Sequence, residues 1–143
     1  MATKLIRTYL DTGVIIRAFQ LGLTANDSIS EILGDAKREF IVSDVLKIEL
    51  FPKARFHKQL REVAFYQDFF DEAVVLVETT PALMRSAINL ASQYNLAPCD
   101  ALHLSMAIEA QVAEFITTEK PEKPFFKVPG LNFQLTSIYR SPP

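Results

Sequence analysis

The chain has 143 residues, 49% hydrophobic and 22% charged, which suits one globular domain over residues 1–143 with its own core. Fifteen Lys and Arg against 17 Asp and Glu leave a net charge of −2, so nothing global announces nucleic-acid binding and any such surface must be local. The single cysteine, Cys99, excludes an internal disulfide and fits a reducing compartment. The start, M-A-T-K-L-I-R-T-Y-L-D, has no apolar run of signal-peptide length, and no apolar stretch approaches a membrane span. We expect a soluble cytoplasmic protein.

Taken in order, Leu5 to Leu10 reads as a short strand, and T-G-V-I-I-R-A-F turns at Gly13 into a helix. Asp11 then stands at the C-terminal end of the first strand, the edge at which open α/β sheets bind ligands. A helix N-cap is the alternative use of such an Asp. Asn26-Asp27-Ser28 starts a second helix, and Phe40-Ile41-Val42 is a short strand. Ser43 caps the next helix, D-V-L-K-I-E-L-F, on which Glu49 falls between Val45 and Leu46 on the core-facing arc. Its long stem can reach past the core to water, or it can serve a site.

Pro52 should limit or kink that helix. Lys53, Arg55, His57, Lys58 and Arg61 follow without an intervening acid. Such a run is either a solvated helix face or a track for phosphates. Phe56, Phe65, Tyr66, Phe69 and Phe70 accompany it, as core, subunit contact or stacking surface for bases. Ala73 to Val77, A-V-V-L-V, reads as a buried strand.

Thr80 and Pro81 open a helix whose Leu83, Ala87, Leu90, Ala91 and Tyr94 form one stripe ending at Asn95. Pro98 begins another, P-C-D-A-L-H-L-S-M-A-I-E, apolar almost all round and therefore packed on most sides. At about 100° per residue, Asp100 shares a side with Leu104, Ala107 and Ile108. A carboxylate there is costly unless paired. It is either a first-turn acid serving the helix dipole or a functional group. His103 reads as a packed or partly exposed helix residue, since no nucleophile partner accompanies it. Glu114 to Thr117 is a strand followed by Thr118, Glu119 and Lys120, residues 120 to 130 form a loop, Phe133 to Thr136 is a last strand, and the S-P-P end should be loose. The alternation implies one α/β domain with a mainly parallel sheet and helices on both faces.

If the strand ends share one edge, Asp11, Glu49, Asp100 and Glu119 can converge there. Several close carboxylates need a compensating cation. An oxygen-only set argues for Mg²⁺ or Mn²⁺ over zinc. Such a centre suits in-line displacement at a phosphodiester. There is no phosphatase-like D-x-D at Asp11 and no Gly-rich nucleotide loop.

The pieces Y-L-D-T at 9–12, S-D-V-L-K-I-E-L at 43–50, C-D-A-L-H-L-S-M-A at 99–107 and F-I-T-T-E-K-P at 115–121 resemble, in this order, the PIN-domain family, and within it the VapC-type toxins of toxin–antitoxin pairs. The resemblance implies a three-layer α/β/α sandwich and a metal-dependent endoribonuclease. It would make Asp11, Glu49 and Asp100 the acidic core, with Glu119 where a fourth acid, usually Asp, is found, supported by Thr117 or Thr118. Gly13 stands where Asn or Ser is common. RNA backbone would be gripped by Lys53, Arg55, Lys58 and Arg61, or by Lys120, Lys123 and Lys127. The alternatives are a non-catalytic binding module with a degenerate metal site and a structural partner protein assembling through residues 56–70. The aromatic-rich stretch at 50–70 would serve a homodimer or an antitoxin segment.

Overall fold

The computed structural model describes residues 4–22 and 27–140. Asn26 and the S-P-P end, on which two expectations fell, lie outside them. The elements run β1 (Ile6–Leu10), α1 (Thr12–Leu21), α2 (Ser28–Leu33), β2 (Arg38–Ser43), α3 (Asp44–Phe56), α4 (Leu60–Glu72), β3 (Val75–Val77), α5 (Pro81–Tyr94), α6 (Pro98–Glu109), β4 (Glu114–Thr117), a 3₁₀ turn (Pro124–Lys127) and β5 (Gln134–Ser137). The five strands form one sheet in the order β3-β2-β1-β4-β5, and every pairing is parallel. Right-handed crossovers put α1 to α4 on one face and α5, α6 and the 3₁₀ turn on the other. The helix contacts divide chiefly the same way, α1 with α3 and α4, and α5 with α6. This is the expected three-layer α/β/α fold.

Because both faces are covered, the inner strands bury consecutive residues rather than alternate ones. Thr8, Tyr9 and Leu10 of β1, Ile41 and Val42 of β2, and Phe115 and Ile116 of β4 are all buried. Local chemistry sets the helix starts. The Ser43 hydroxyl accepts the Leu46 N–H at 3.2 Å, and Thr80 accepts that of Leu83 at 3.1 Å ahead of Pro81. Asn95 ends α5 in the left-handed conformation, φ 56°.

Three expectations need correction. The chain does not turn at Gly13: α1 begins at Thr12, capped by Asp11. Pro52 does not end α3, which continues to Phe56. The proline lies on the exposed side near Ile48, where the carbonyl it leaves unpaired can be hydrated. The run 73–77 is not a buried strand. Only Val75–Val77 is strand, it pairs with β2 alone, and Val74 and Leu76, two residues apart and so on one face, are exposed because that face is left partly uncovered at the sheet's edge. Asp44 pins this edge to α3, its carboxylate accepting from the Thr79 N–H and hydroxyl, both at 2.8 Å.

The aromatic stretch divides. Tyr66 is fully buried, and Phe65, Phe69 and Phe70 pack partly buried on the core. Phe56 is 81% exposed.

Candidate active site

The chain reverses direction across the sheet between β1 and β4, so a crevice opens beyond their C-terminal ends. Asp11 leaves β1 at this crevice. Its Oδ1 accepts the Thr12 N–H at 2.7 Å, capping α1, and its Oδ2 accepts the Thr117 hydroxyl at 2.8 Å. One carboxylate therefore both caps the helix and stands at the crevice: the strand end that carries it also starts α1. Thr117 in turn accepts the Glu119 N–H at 3.0 Å, so one hydroxyl links the chain after β4 to the acid after β1.

Glu49 arrives from the second turn of α3. Its Oε1 accepts the Thr12 hydroxyl at 2.8 Å and is hydrogen-bonded to His103 Nε2. His103, on α6, is 2% exposed. A carboxylate only accepts, so Nε2 carries the proton toward Glu49. The other ring nitrogen, Nδ1, lies 2.6 Å from the Tyr9 hydroxyl, which lies 2.8 Å from Ser43 Oγ. Nε2 is also 3.8 Å from Asp11 Oδ1. Burial alone would push the Glu49 carboxyl up, but the hydrogen bond and charge of His103, with the Thr12 hydrogen bond, outweigh it and hold the group below its usual range.

Asp100 stands in the first turn of α6, whose cap position is Ala97 and has no side-chain cap hydrogen bond. Its Oδ2 lies 3.7 Å from Lys123 Nζ, which is 3.4 Å from Glu119 Oε2. Burial raises the Asp100 carboxyl, Lys123 opposes that rise, and Asp11 and Glu119 add to it. Partial burial, then Glu49, Asp100 and Asp11, also push up the Cys99 thiol. Three of the acids thus act on one neighbour.

The donor chemistry fits a hard divalent cation: four carboxylates, from the residue after β1, α3, α6 and the segment after β4, near the C-terminal ends of the strands. The side chains are nonetheless engaged with protein partners. Among the described residues, no three carboxylate, imidazole or thiol groups stand close enough together to hold an ion as they are. Asp11, Glu49, Asp100 and Glu119 would hold it after exchanging some of those partners. Thr118 sits elsewhere, its hydroxyl against Gly13, where a Cβ would collide with it. That close approach accounts for glycine at 13.

Among the described residues, none of Lys53, Arg55, Lys58 and Arg61 forms an ion pair with the four acids. Lys53 and Arg55 close α3 one to two turns beyond Glu49, and the Arg55 guanidinium lies 4.6 Å from the Phe51 ring centroid. Lys58 sits in the left-handed region (φ 53°) between the helices, and Arg61 is the second residue of α4. The lysine that reaches the acids is Lys123. Residues that the sequence reading left out of the site are Tyr9, Thr12 and His103. The only local signal for His103 was its spacing, one turn after Asp100, and for Thr12 its place next to Asp11.

The PIN domain family matches residues 8–121. No curated protein sequence matches the chain. Solved structures that share its fold include the following three. A chain of the VapBC2 complex from Rickettsia felis, bound to a DNA fragment from their promoter, has a TM-score of 0.67 at 16% identity, covering 91% of this chain and 97% of its own. A chain of a toxin-antitoxin complex from Klebsiella pneumoniae has a TM-score of 0.66 at 16% identity, with 89% and 98% covered. A chain of DNA-bound VapBC from Salmonella typhimurium has a TM-score of 0.67 at 13% identity, with 92% and 97% covered. At these identities the likeness is one of fold. The family match spans most of the chain and includes Asp11, Glu49, Asp100 and Glu119, and the chain belongs to the PIN-domain family.

Proposed function

We propose that the protein is a Mg²⁺- or Mn²⁺-dependent endoribonuclease, acting as the toxin of a toxin–antitoxin pair. What supports this reading is the sequence of placements around the crevice between β1 and β4: Asp11 directly after β1, Glu49 on α3, Asp100 on α6 and Glu119 after β4, oxygen donors suited to a hard cation. Asp11, Glu49 and Asp100 would hold the ion, with Glu119 as fourth acid. A divalent ion there supplies an activated water and neutralises charge developing on a phosphodiester.

The chain's own groups hold these acids in place. Thr12 N–H and the Thr117 hydroxyl fix both oxygens of Asp11. The Thr12 hydroxyl and His103 aim Glu49, and the Tyr9 and Ser43 hydroxyls fix the His103 ring. Lys123 lies where it can meet a phosphate oxygen. The antitoxin partner is supported by the toxin–antitoxin complexes that share the fold. Its segment, or a second copy of the chain, would use the exposed apolar corner of Ile48, Phe56 and Leu60.

One observation favours a second reading, a non-catalytic RNA- or protein-binding module: Glu49 already has a hydrogen-bond partner in His103 and Asp100 an ammonium beside it in Lys123. Incubating single-stranded RNA with the protein, in Mn²⁺ and then in EDTA, separates the two. Cleavage that EDTA abolishes and that Asp11→Asn lacks supports the nuclease. RNA bound but intact under both conditions supports the module.

A further inference from the structure

Close carboxylates demand a cation, and here part of that demand is met by the polypeptide. Lys123 Nζ lies between Asp100 Oδ2, at 3.7 Å, and Glu119 Oε2, at 3.4 Å. Among the described residues, no other lysine or arginine forms an ion pair with any of the four acids. The side chain comes from the loop just ahead of the 3₁₀ turn, whose Phe125 is buried in the core, so the loop that carries the ammonium is anchored. Asp100 is the better shielded of its partners: its side chain is 16% exposed against 37% for Glu119.

Two divalent ions clamping a phosphodiester stand about 3.5–4 Å apart, so a second ion would need room and acid oxygens on the far side of the first. In this chain the acids divide into two groups. Asp11 and Glu49 lie on the His103 side, and Asp100 and Glu119 share Lys123. A lysine ammonium is a compact point charge with three donors. A second divalent ion on the Asp100–Glu119 side would have to displace it or sit beside it against its repulsion.

We propose that the Lys123 ammonium is the second cation of this centre, so that the site takes a single divalent ion, which Asp11, Glu49 and Asp100 would hold. The inference rests on the metal-centre reading above. It makes Lys123 the charge that faces a phosphate oxygen from the Asp100–Glu119 side, with an organic cation doing what a second ion would otherwise do.

The test is a Mn²⁺ titration of the metal-free full chain, followed by the electron paramagnetic resonance of free Mn²⁺ and by calorimetry, on wild type, Lys123→Met and Lys123→Arg. Lys123 is 38% exposed, so the variants should keep the fold, and circular dichroism melts check it. Wild type and Lys123→Arg should bind one ion per chain. Lys123→Met should bind a second, or bind the first with a Kd at least roughly tenfold lower, because a like charge has gone from its immediate surroundings. Two ions in wild type, or Lys123→Met identical to wild type in number and affinity, overturns the role of Lys123 while leaving the metal centre standing. Lys123→Arg behaving as Lys123→Met overturns the charge argument. No ion in any of the three overturns the metal-centre reading itself, and this inference with it.

Discussion

His103 Nε2 is hydrogen-bonded to Glu49 Oε1, and that bond ties α6 to the second turn of α3 across the C-terminal end of β1. It belongs to a buried chain of hydrogen bonds that runs through Tyr9 to Ser43, the cap of α3. The residue that aims Glu49 is therefore connected to the residue that starts the helix carrying Glu49.

This linkage has a sign. Burial pushes the Glu49 carboxyl up, but His103 and Thr12 together hold it below its ordinary value of 4.5. A depressed carboxylate contributes stability that is present above the unfolded value and lost as pH falls through the folded one. In metal-free protein, His103→Leu removes the largest lowering contact. The Glu49 midpoint, read from its carboxyl carbon by NMR, should rise, and acid unfolding should begin at higher pH. A midpoint unchanged in the variant would show that His103 only fills space.

Asp100 has the opposite sign. Burial raises its carboxyl above 3.8, opposed by Lys123 and reinforced by Asp11 and Glu119. The penalty is absent below the unfolded value and fully present once pH exceeds the raised folded value. At neutral pH in EDTA, Asp100→Asn should melt at or above the wild-type temperature. Millimolar Mn²⁺ should raise the wild-type melting temperature by mass action and do much less for the variant, which should lose nuclease activity. A first-turn acid serving only the dipole would instead make Asn destabilising by roughly 0.3–1 kcal/mol, with no response to Mn²⁺ in either protein.

Gly13 faces the Thr118 hydroxyl with no room for a Cβ. Gly13→Ser should therefore destabilise the protein by about 1–3 kcal/mol through overpacking. In a Thr118→Ala background most of that cost should disappear, since the colliding atom is gone. Urea unfolding of the four proteins measures the coupling. Equal costs in both backgrounds would place the strain elsewhere.

Charge reversal tests the grip on RNA. Lys58→Glu and Arg61→Glu alter exposed side chains and should change stability by less than about 0.5 kcal/mol. If those residues contact phosphates, each reversal should reduce the salt slope of RNA binding by roughly 1. A wild-type slope in both, with a flattened slope in Lys120→Glu or Lys127→Glu, would move the track to the loop after β4.

Assembly through the α3–α4 corner is tested at its exposed residues. Phe65 packs against Phe19 with ring centroids 5.7 Å apart, so an acid there would damage the core. Ile48 and Phe56 are 72% and 81% exposed. Ile48→Asp with Phe56→Asp should preserve the melting temperature and convert a dimer, or an antitoxin complex, to monomer in sedimentation. Unchanged assembly would place the interface on another face.

Much of the fold is written locally. Ser43, Thr80 and Asn95 act through neighbours within four residues, so the starts of α3 and α5 and the end of α5 are legible from side-chain chemistry alone. The strands around Tyr9 and Phe115 are legible from their apolar runs, and the acids stand out as charges against those runs. The apolar run 73–77 misled because an edge strand and a central one look alike in sequence; burial is decided by whether helices cover both faces of the strand. Pro52 misled because the cost of a missing N–H depends on whether water reaches the freed carbonyl. Asp11, Glu49, Asp100 and Glu119 were named from sequence as able to converge. Which strand ends share an edge, and that His103 and Lys123 stand beside the acids, depended on the strand order β3-β2-β1-β4-β5 and the packing of helices on both faces. Those are long-range contacts between residues up to 106 positions apart, as Asp11 and Thr117 are, and no local propensity encodes them.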